Sequence, residues 1–312
     1  MKSKLNRLAL AAVILFFTAC GNKNGEVPNT PTSGEVSISA DESFQPIIAS
    51  QVDTFEGIYK YADITANYKS EGEVVKDILN DSTGIAILSR ELTPKEIAAL
   101  EQKKRIPRVT KIATDAVALI VNKNNKDTLL TLEQVKKIFS GNTNTWKDLN
   151  AASSLGDITI VFDNNNSSTA RFVKDSLTTN QQLPKNTFAS ESHKALIDYV
   201  AKNENAVGVI GVNWISDLDD STAVGFLDKV NVIGISKDPA PASTDEYYKP
   251  YQAYIAQGTY PLLRNVYIIN TEGRAGLGTG FASYIAGDKG QRIILKSGLV
   301  PATMPVRVVG FQ

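Results

Sequence analysis

The chain has 312 residues, equal totals of 33 for Lys plus Arg and for Asp plus Glu, and one Cys and one His. That balance gives no general attraction to nucleic acid or anionic lipid. A single Cys and a single His provide no disulfide and no His/Cys zinc cluster, and the sequence carries neither a G-x-S-x-G nucleophile elbow nor a phosphate loop ending in Gly-Lys-Ser/Thr.

At the N-terminus, Lys2, Lys4 and Arg7 precede an apolar run from Leu8 to Phe17 and the small-residue stretch Thr18-Ala19-Cys20, the layout of an export signal. The ten apolar residues are too few to span a bilayer, and no later segment is long and apolar enough to do so. Cys20 stands where a bacterial lipoprotein is cut and acylated, so residues 1–19 are expected to be removed and Cys20 to carry lipid. The anchor is then lipid alone, holding the body to the bacterial cell envelope in an aqueous extracytoplasmic space. Cleavage removes three basic residues and leaves 293 residues at a net charge of −3, so an anionic ligand must be attracted by a local site.

Residues 20–34 are polar and rich in Gly and Pro, a composition that buries no core and predicts a tether, with the folded body starting near Glu35. From there, β-rich runs at Val36–Ser39, Ile64–Tyr68, Gly84–Leu88, Ala116–Val121, Ile158–Phe162, Ala206–Ile210, Val230–Ile235 and Val266–Asn270 alternate with helical patterns. Such alternation predicts an α/β architecture. Thr93-Pro94-Lys95-Glu96 and Thr131-Leu132-Glu133-Gln134 are capping boxes, and Gly141 and Gly298 are stop signals. His193 lies in a polar helix start and is expected on the surface. Trp146 and Trp214 are expected to be packing anchors. Gly276-Leu277-Gly278-Thr279-Gly280 lacks the strand and glycine spacing of a nucleotide loop and is expected to be a flexible turn.

Several strand-to-helix junctions are rich in hydroxyls, and a helix N-terminus offers free N–H groups and partial positive charge to an anion. The fullest is Asn164-Asn165-Asn166-Ser167-Ser168-Thr169-Ala170-Arg171, directly after an apolar strand, where short side chains admit a ligand and Arg171 supplies a guanidinium fork. The alternative is a polar turn with a Ser cap. Ser43-Phe44, Ser70 and Ser89-Arg90 occupy weaker junctions of the same kind. In open α/β sheets, ligands collect at the carboxyl ends of strands.

Leu88-Ser89-Arg90-Glu91-Leu92, Thr114 through Asn122, Leu132 through Trp146-Lys147, Ser168-Thr169-Ala170-Arg171 and Gly298-Leu299-Val300-Pro301 together resemble the phosphate-binding subunits of phosphate ABC importers, within the type II periplasmic-binding-protein superfamily. The resemblance runs from about Val36 to Ala302. It implies two α/β lobes joined by two hinge strands, lobe 1 being 35–114 with 262–312 and lobe 2 being 115–261, that close on a ligand. It also implies phosphate as ligand and the permease subunits of an ABC importer as partners. No cofactor or metal is expected, and no enzyme activity, because the sequence offers no nucleophile-base pair and the adjacent Asp41 and Glu42 are expected to face opposite ways in an extended segment. Carried over residue by residue, the ligand set is Ser43 and the Phe44 N–H, Ser70, Ser89, Arg90, Asp115, Ser167, Ser168, Thr169 and Arg171. Asp115 is the candidate acceptor for the proton of HPO₄²⁻, and Ser167 and Ser168 compete for one position.

Asp41-Glu42 and Glu71 with Glu73 depart from the family pattern, and such carboxylates repel an anion unless they point outward or pair with Arg90 or Arg171. Another oxyanion (sulfate or molybdate), or a non-transport sensor or adhesin on the same fold, is the alternative that these departures leave open.

Overall fold

A computed structural model of the chain describes residues 27–164, 166–178 and 182–306. The export signal and Cys20 lie outside the described residues. β1 (Ser33–Asp41) pairs in parallel with β2 (Tyr61–Lys69) and with β3 (Ile85–Leu88). The first two strands extend further than the apolar runs alone predict. Residues 27–34 of the expected tether are among those described, and there Asn29 Oδ1 accepts from Leu277 N at 2.8 Å.

The long strand β4 (Arg108–Asn122) serves two sheets. Its first half, up to Ala116, pairs antiparallel with a late strand, Leu263–Asn270, which also borders β3. Its second half, Val117–Asn122, pairs antiparallel with Ala206–Gly211 and with Val230–Val232. β4 hands over where Val117 N donates to Leu262 O at 2.9 Å and Tyr260 Oη donates to Val117 O at 2.7 Å. Ala116 to Val121 are fully buried, consistent with a strand covered on both faces.

In chain order, the further strands are β5 (Leu129–Thr131), β6 (Thr159–Phe162), β7 (Thr187–Ala189), β8 (Ala206–Gly211), β9 (Val230–Val232), β10 (Gly234–Ser236), β11 (Leu263–Asn270) and β12 (Val300–Pro301). The resulting sheet runs β2-β1-β3-β11-β4-β8-β6-β7. The single strand expected at Val230–Ile235 splits: β9 stays on β4, whereas β10 leaves to pair with β5.

Both expected capping boxes form. Glu96 N donates to Thr93 Oγ1 and Thr93 N to Glu96 Oε2, and Gln134 and Thr131 exchange the same two bonds. Gly141 and Gly298 take φ of +72° and +83°, the left-handed region in which a glycine ends a helix without strain. The expected flexible turn at Gly276–Gly280 is instead the start of the helix Leu277–Ala286. A Cβ on Gly280 would stand 1.8 Å from Pro31 O and one on Gly278 2.7 Å from Ile85 Cγ1, so these glycines serve close packing.

Candidate functional site

β1 carries Asp41 to its carboxyl end, and a short 3₁₀ turn, Glu42–Phe44, leads from it into the helix Gln45–Ile58. Asp41 is fully buried; Oδ1 accepts from Ser43 N at 2.9 Å and Oδ2 has no hydrogen-bond partner. Burial and the nearby Glu71 push this carboxyl up to about 7, against the opposing pull of Arg264 and Ser168.

Facing this junction, β6 leads through Asp163 to the helix Ser168–Leu177, where Ser167 is the cap and accepts from Ala170 N at 3.2 Å. The three hydroxyls here are not equivalent. Ser167 and Thr169 lie 2.9 Å apart, and Thr169 Oγ1 donates to Asp163 Oδ1 at 2.8 Å, so both face back into their own turn. Ser168 Oγ instead reaches Ser43 Oγ at 3.1 Å and accepts from Arg264 Nη1 at 2.8 Å. Of the two serines that compete in sequence, Ser168 therefore meets the opposite side of the cleft. Asn213 Nδ2 adds a bond to Ser43 O at 3.1 Å.

Arg264 is the principal residue that motif reasoning misses. It is 5% exposed, its guanidinium lies 4.8 Å over the Phe44 ring, and its Nε donates to Asp115 Oδ2 at 2.8 Å. The available signal was register: on β11, Arg264 shares the buried face with Val266 and Ile268. A cation on an apolar face demands a partner. Asp115, expected as a proton acceptor, is that partner, and burial raises its carboxyl against the pull of Arg264.

The remaining expected residues form a second cluster beside the first. Arg171 Nε meets Glu71 Oε1 at 2.5 Å, and its Nη2 meets Glu71 Oε2 at 3.3 Å and Ser89 Oγ at 2.7 Å. Ser89 Oγ donates to Glu71 Oε2 at 2.5 Å. Arg90 Nε lies 3.3 Å from Glu71 Oε1, while its two terminal nitrogens bond Glu96 at 2.8 and 2.9 Å, so that arginine is largely committed to a helix cap. Ser70 likewise donates to Glu73 Oε2 at 2.8 Å as a cap of its own helix. Burial works to raise the Glu71 carboxyl, but Arg171, Ser89 and Arg90 together hold it below the usual range. Glu42 accepts from Asn164 Nδ2 at 2.5 Å, so each of the four unexpected carboxylates has at least one hydrogen-bond partner, and Glu71 is the one paired with Arg171.

His193 is 3% exposed, contrary to the surface placement expected of it. Its ring stacks on Trp214 at 4.3 Å and 14°, and Nε2 lies 3.3 Å from Asp163 Oδ2. Burial pushes the imidazole down to about 4 despite Asp163, so it is neutral at physiological pH. Among the described residues no group of three or more His, Cys, Asp and Glu is arranged to hold a metal, and no helix is long and apolar enough to cross a membrane.

A model of the PBP superfamily domain matches residues 25–289. The chain belongs to the PBP superfamily. Among relatives of this superfamily member, the phosphate-binding protein PstS of Staphylococcus saprophyticus is 27% identical over 284 residues, covering 89% of this chain and 83% of its own. PstS of Staphylococcus aureus strain USA300 is 26% identical over 265 residues, covering 85% and 76%. The fold is a mixed α/β, two-lobed one, shared with a putative phosphate ABC transporter substrate-binding protein with bound phosphate from Clostridium perfringens at a TM-score of 0.72 and 23% identity, over 86% of this chain and all of that one. An ABC-type phosphate transport receptor from Vibrio cholerae matches at a TM-score of 0.64 and 20% identity, over 86% of this chain and 100% of that chain.

Proposed function

We propose that this protein is an extracytoplasmic solute-binding protein that captures inorganic phosphate in the cleft between residues 35–114 with 262–312 on one side and residues 115–261 on the other, and delivers it to the permease subunits of an ABC importer. The observation that carries this reading is Ser168 of the second side, whose hydroxyl reaches Ser43 and Arg264, both of the first side, at 3.1 and 2.8 Å. Two helices, Gln45–Ile58 and Ser168–Leu177, begin at this point, so their N-terminal N–H groups and dipoles add to the attraction for an anion. The names of the PstS relatives and of the phosphate-bound structural neighbour point the same way.

Ser43, Ser168 and Ser89 donate to the bound oxyanion in this reading and Arg171 clamps it. Asp41 accepts the proton of HPO₄²⁻ in place of Asp115, because Asp115 Oδ2 is matched by the Arg264 guanidinium whereas Asp41 accepts from the Ser43 backbone N–H; each carboxyl keeps one buried oxygen without a partner. In this reading the cleft binds its ligand and releases it unchanged, in keeping with the names of its phosphate-binding relatives and structural neighbours. In the same reading, lipid on Cys20 after removal of residues 1–19 anchors the body to the cell envelope, on a periplasmic or outer-surface face.

Calorimetric titration of the purified protein, stripped of bound ligand, with phosphate and separately with sulfate at neutral pH tests the reading. One-to-one binding of phosphate alone supports it. Binding of neither anion, or of both equally, overturns it.

A further inference from the structure

We propose that the Glu71 carboxylate is a resident anion that occupies the cleft's oxyanion seat, so that a ligand binds only by displacing it. The proposal rests on the oxyanion reading given above. Glu71 is 3% exposed, yet it is the first residue of the helix Glu71–Leu79, from which a side chain ordinarily points to solvent or toward its own N-terminus. Instead it lies within reach of Ser89 and Arg171, the two donors outside the Ser43–Ser168 contact that hold the anion in that reading, and of Arg90, whose terminal nitrogens are held by Glu96.

Both carboxylate oxygens are saturated. Oε1 takes Arg171 Nε and Arg90 Nε, and Oε2 takes Ser89 Oγ and Arg171 Nη2. The planar fork that matches a carboxylate matches two oxygens of a tetrahedral anion equally well, and it cannot serve both at once. Arg171 has one nitrogen left over, Nη1, and that is taken by Asp175 at 3.0 Å. Glu71 belongs to the β1–β3 side of the cleft and Arg171 to the β6 side, so the seated carboxylate also ties the two sides together in the way a ligand would.

The space into which Glu71 can retire is present. An open cavity of about 360 Å³ adjoins the pair and is lined by Lys76, Lys174 and Gly72 in addition to the arginines. A carboxylate swung outward there enters a cavity lined by two lysines as well as by Glu73, so part of the cost of leaving Arg171 is offset. Binding that first requires a minor, open-seat state is weakened by the fraction of time that state is populated. With the seat free about 1–10% of the time, removal of Glu71 tightens phosphate binding about 10- to 100-fold.

The test uses full-length protein in detergent, unmodified and as Glu71→Ala and the isosteric Glu71→Gln, titrated with sodium phosphate and with sodium acetate, acetate replacing the deleted carboxylate. The expected result is tighter phosphate binding by both variants, and uptake of one acetate by Glu71→Ala, competitive with phosphate, where the unmodified protein takes none. Folded variants whose phosphate affinity is equal or weaker and that take no acetate overturn the proposal. Acetate uptake by Glu71→Ala with no phosphate binding by any form sustains the seat and rejects phosphate as the ligand. Should Glu71→Ala fail to fold, unchanged or weaker phosphate binding by Glu71→Gln overturns the proposal by itself.

Discussion

Arg264 and Asp115 stand directly opposite each other on antiparallel strands, and Nε and Nη2 of the arginine both lie 2.8 Å from Asp115 Oδ2, in a pair whose side chains are 2% and 0% exposed. The strand register places them together, and the pair carries Nη1 to Ser168 on the opposite side of the cleft. Removing one partner of such a pair leaves an uncompensated buried charge. Arg264→Ala is therefore expected to cost about 3–5 kcal/mol in urea denaturation. Arg264→Lys should recover little of this, because a point ammonium cannot span Asp115 and Ser168 together. A loss below about 1 kcal/mol for Arg264→Ala would mean that water or relaxation satisfies Asp115.

Gly211 makes room for that guanidinium. A Cβ there would stand 2.5 Å from Arg264 Nη2, and the arginine, pinned by Asp115, Ser168 and the Phe44 ring, has little freedom to yield. Gly211→Ala is expected to cost about 1–3 kcal/mol and to lower phosphate affinity as well, since Ser168 shifts with Arg264. Thermal unfolding and calorimetry on the one variant read both effects; an affinity unchanged beside a lowered stability would separate Arg264 from the ligand.

Asp41 and His193 make opposite contributions to stability in acid. The folded Asp41 carboxyl, pushed to about 7 from 3.8, holds a proton that the unfolded chain releases between those values, so its contribution is present below about pH 4 and is lost as pH rises toward 7. His193, pushed down from 6.5 to about 4, is neutral when folded and protonated when unfolded across that interval, so its contribution is lost as pH falls from 6.5 to 4. Each slope is at most about 1.4 kcal/mol per pH unit. Relative to the unmodified protein, Asp41→Asn should gain stability more steeply from pH 4.5 to 6.5, and His193→Gln should lose it more steeply. Parallel curves for all three proteins in urea titrations would show that neither group is shifted.

Ser43 and Ser168 touch across 125 residues of sequence. A double-mutant cycle of Ser43→Ala and Ser168→Ala on unfolding free energy is expected to return a coupling of about 0.5–1.5 kcal/mol. Ser167→Ala combined with Ser43→Ala should return none, because Ser167 bonds within its own turn. Coupling of equal size from Ser167 would move the cross-cleft contact to the other serine.

Local signals in the sequence determined much of this protein. β-rich apolar runs mark six of the strands to within a few residues, Thr93 and Thr131 announce their helices, and the hydroxyl-rich junction at Ser167 to Arg171 coincides with the start of another helix. These signals are legible because backbone propensity and capping chemistry act within about four residues. Only the tertiary structure decided which groups face one another. Arg264 meets Asp115 across 149 residues, Arg171 meets Glu71 across 100, and Ser168, not Ser167, turns outward. His193 is buried because Trp214 and Asp163 converge on it, and Gly280 is helical because Pro31 lies against it. The physical reason is that burial and pairing depend on distance in space, and strand order sets that distance only after β4 has crossed from one sheet to the other.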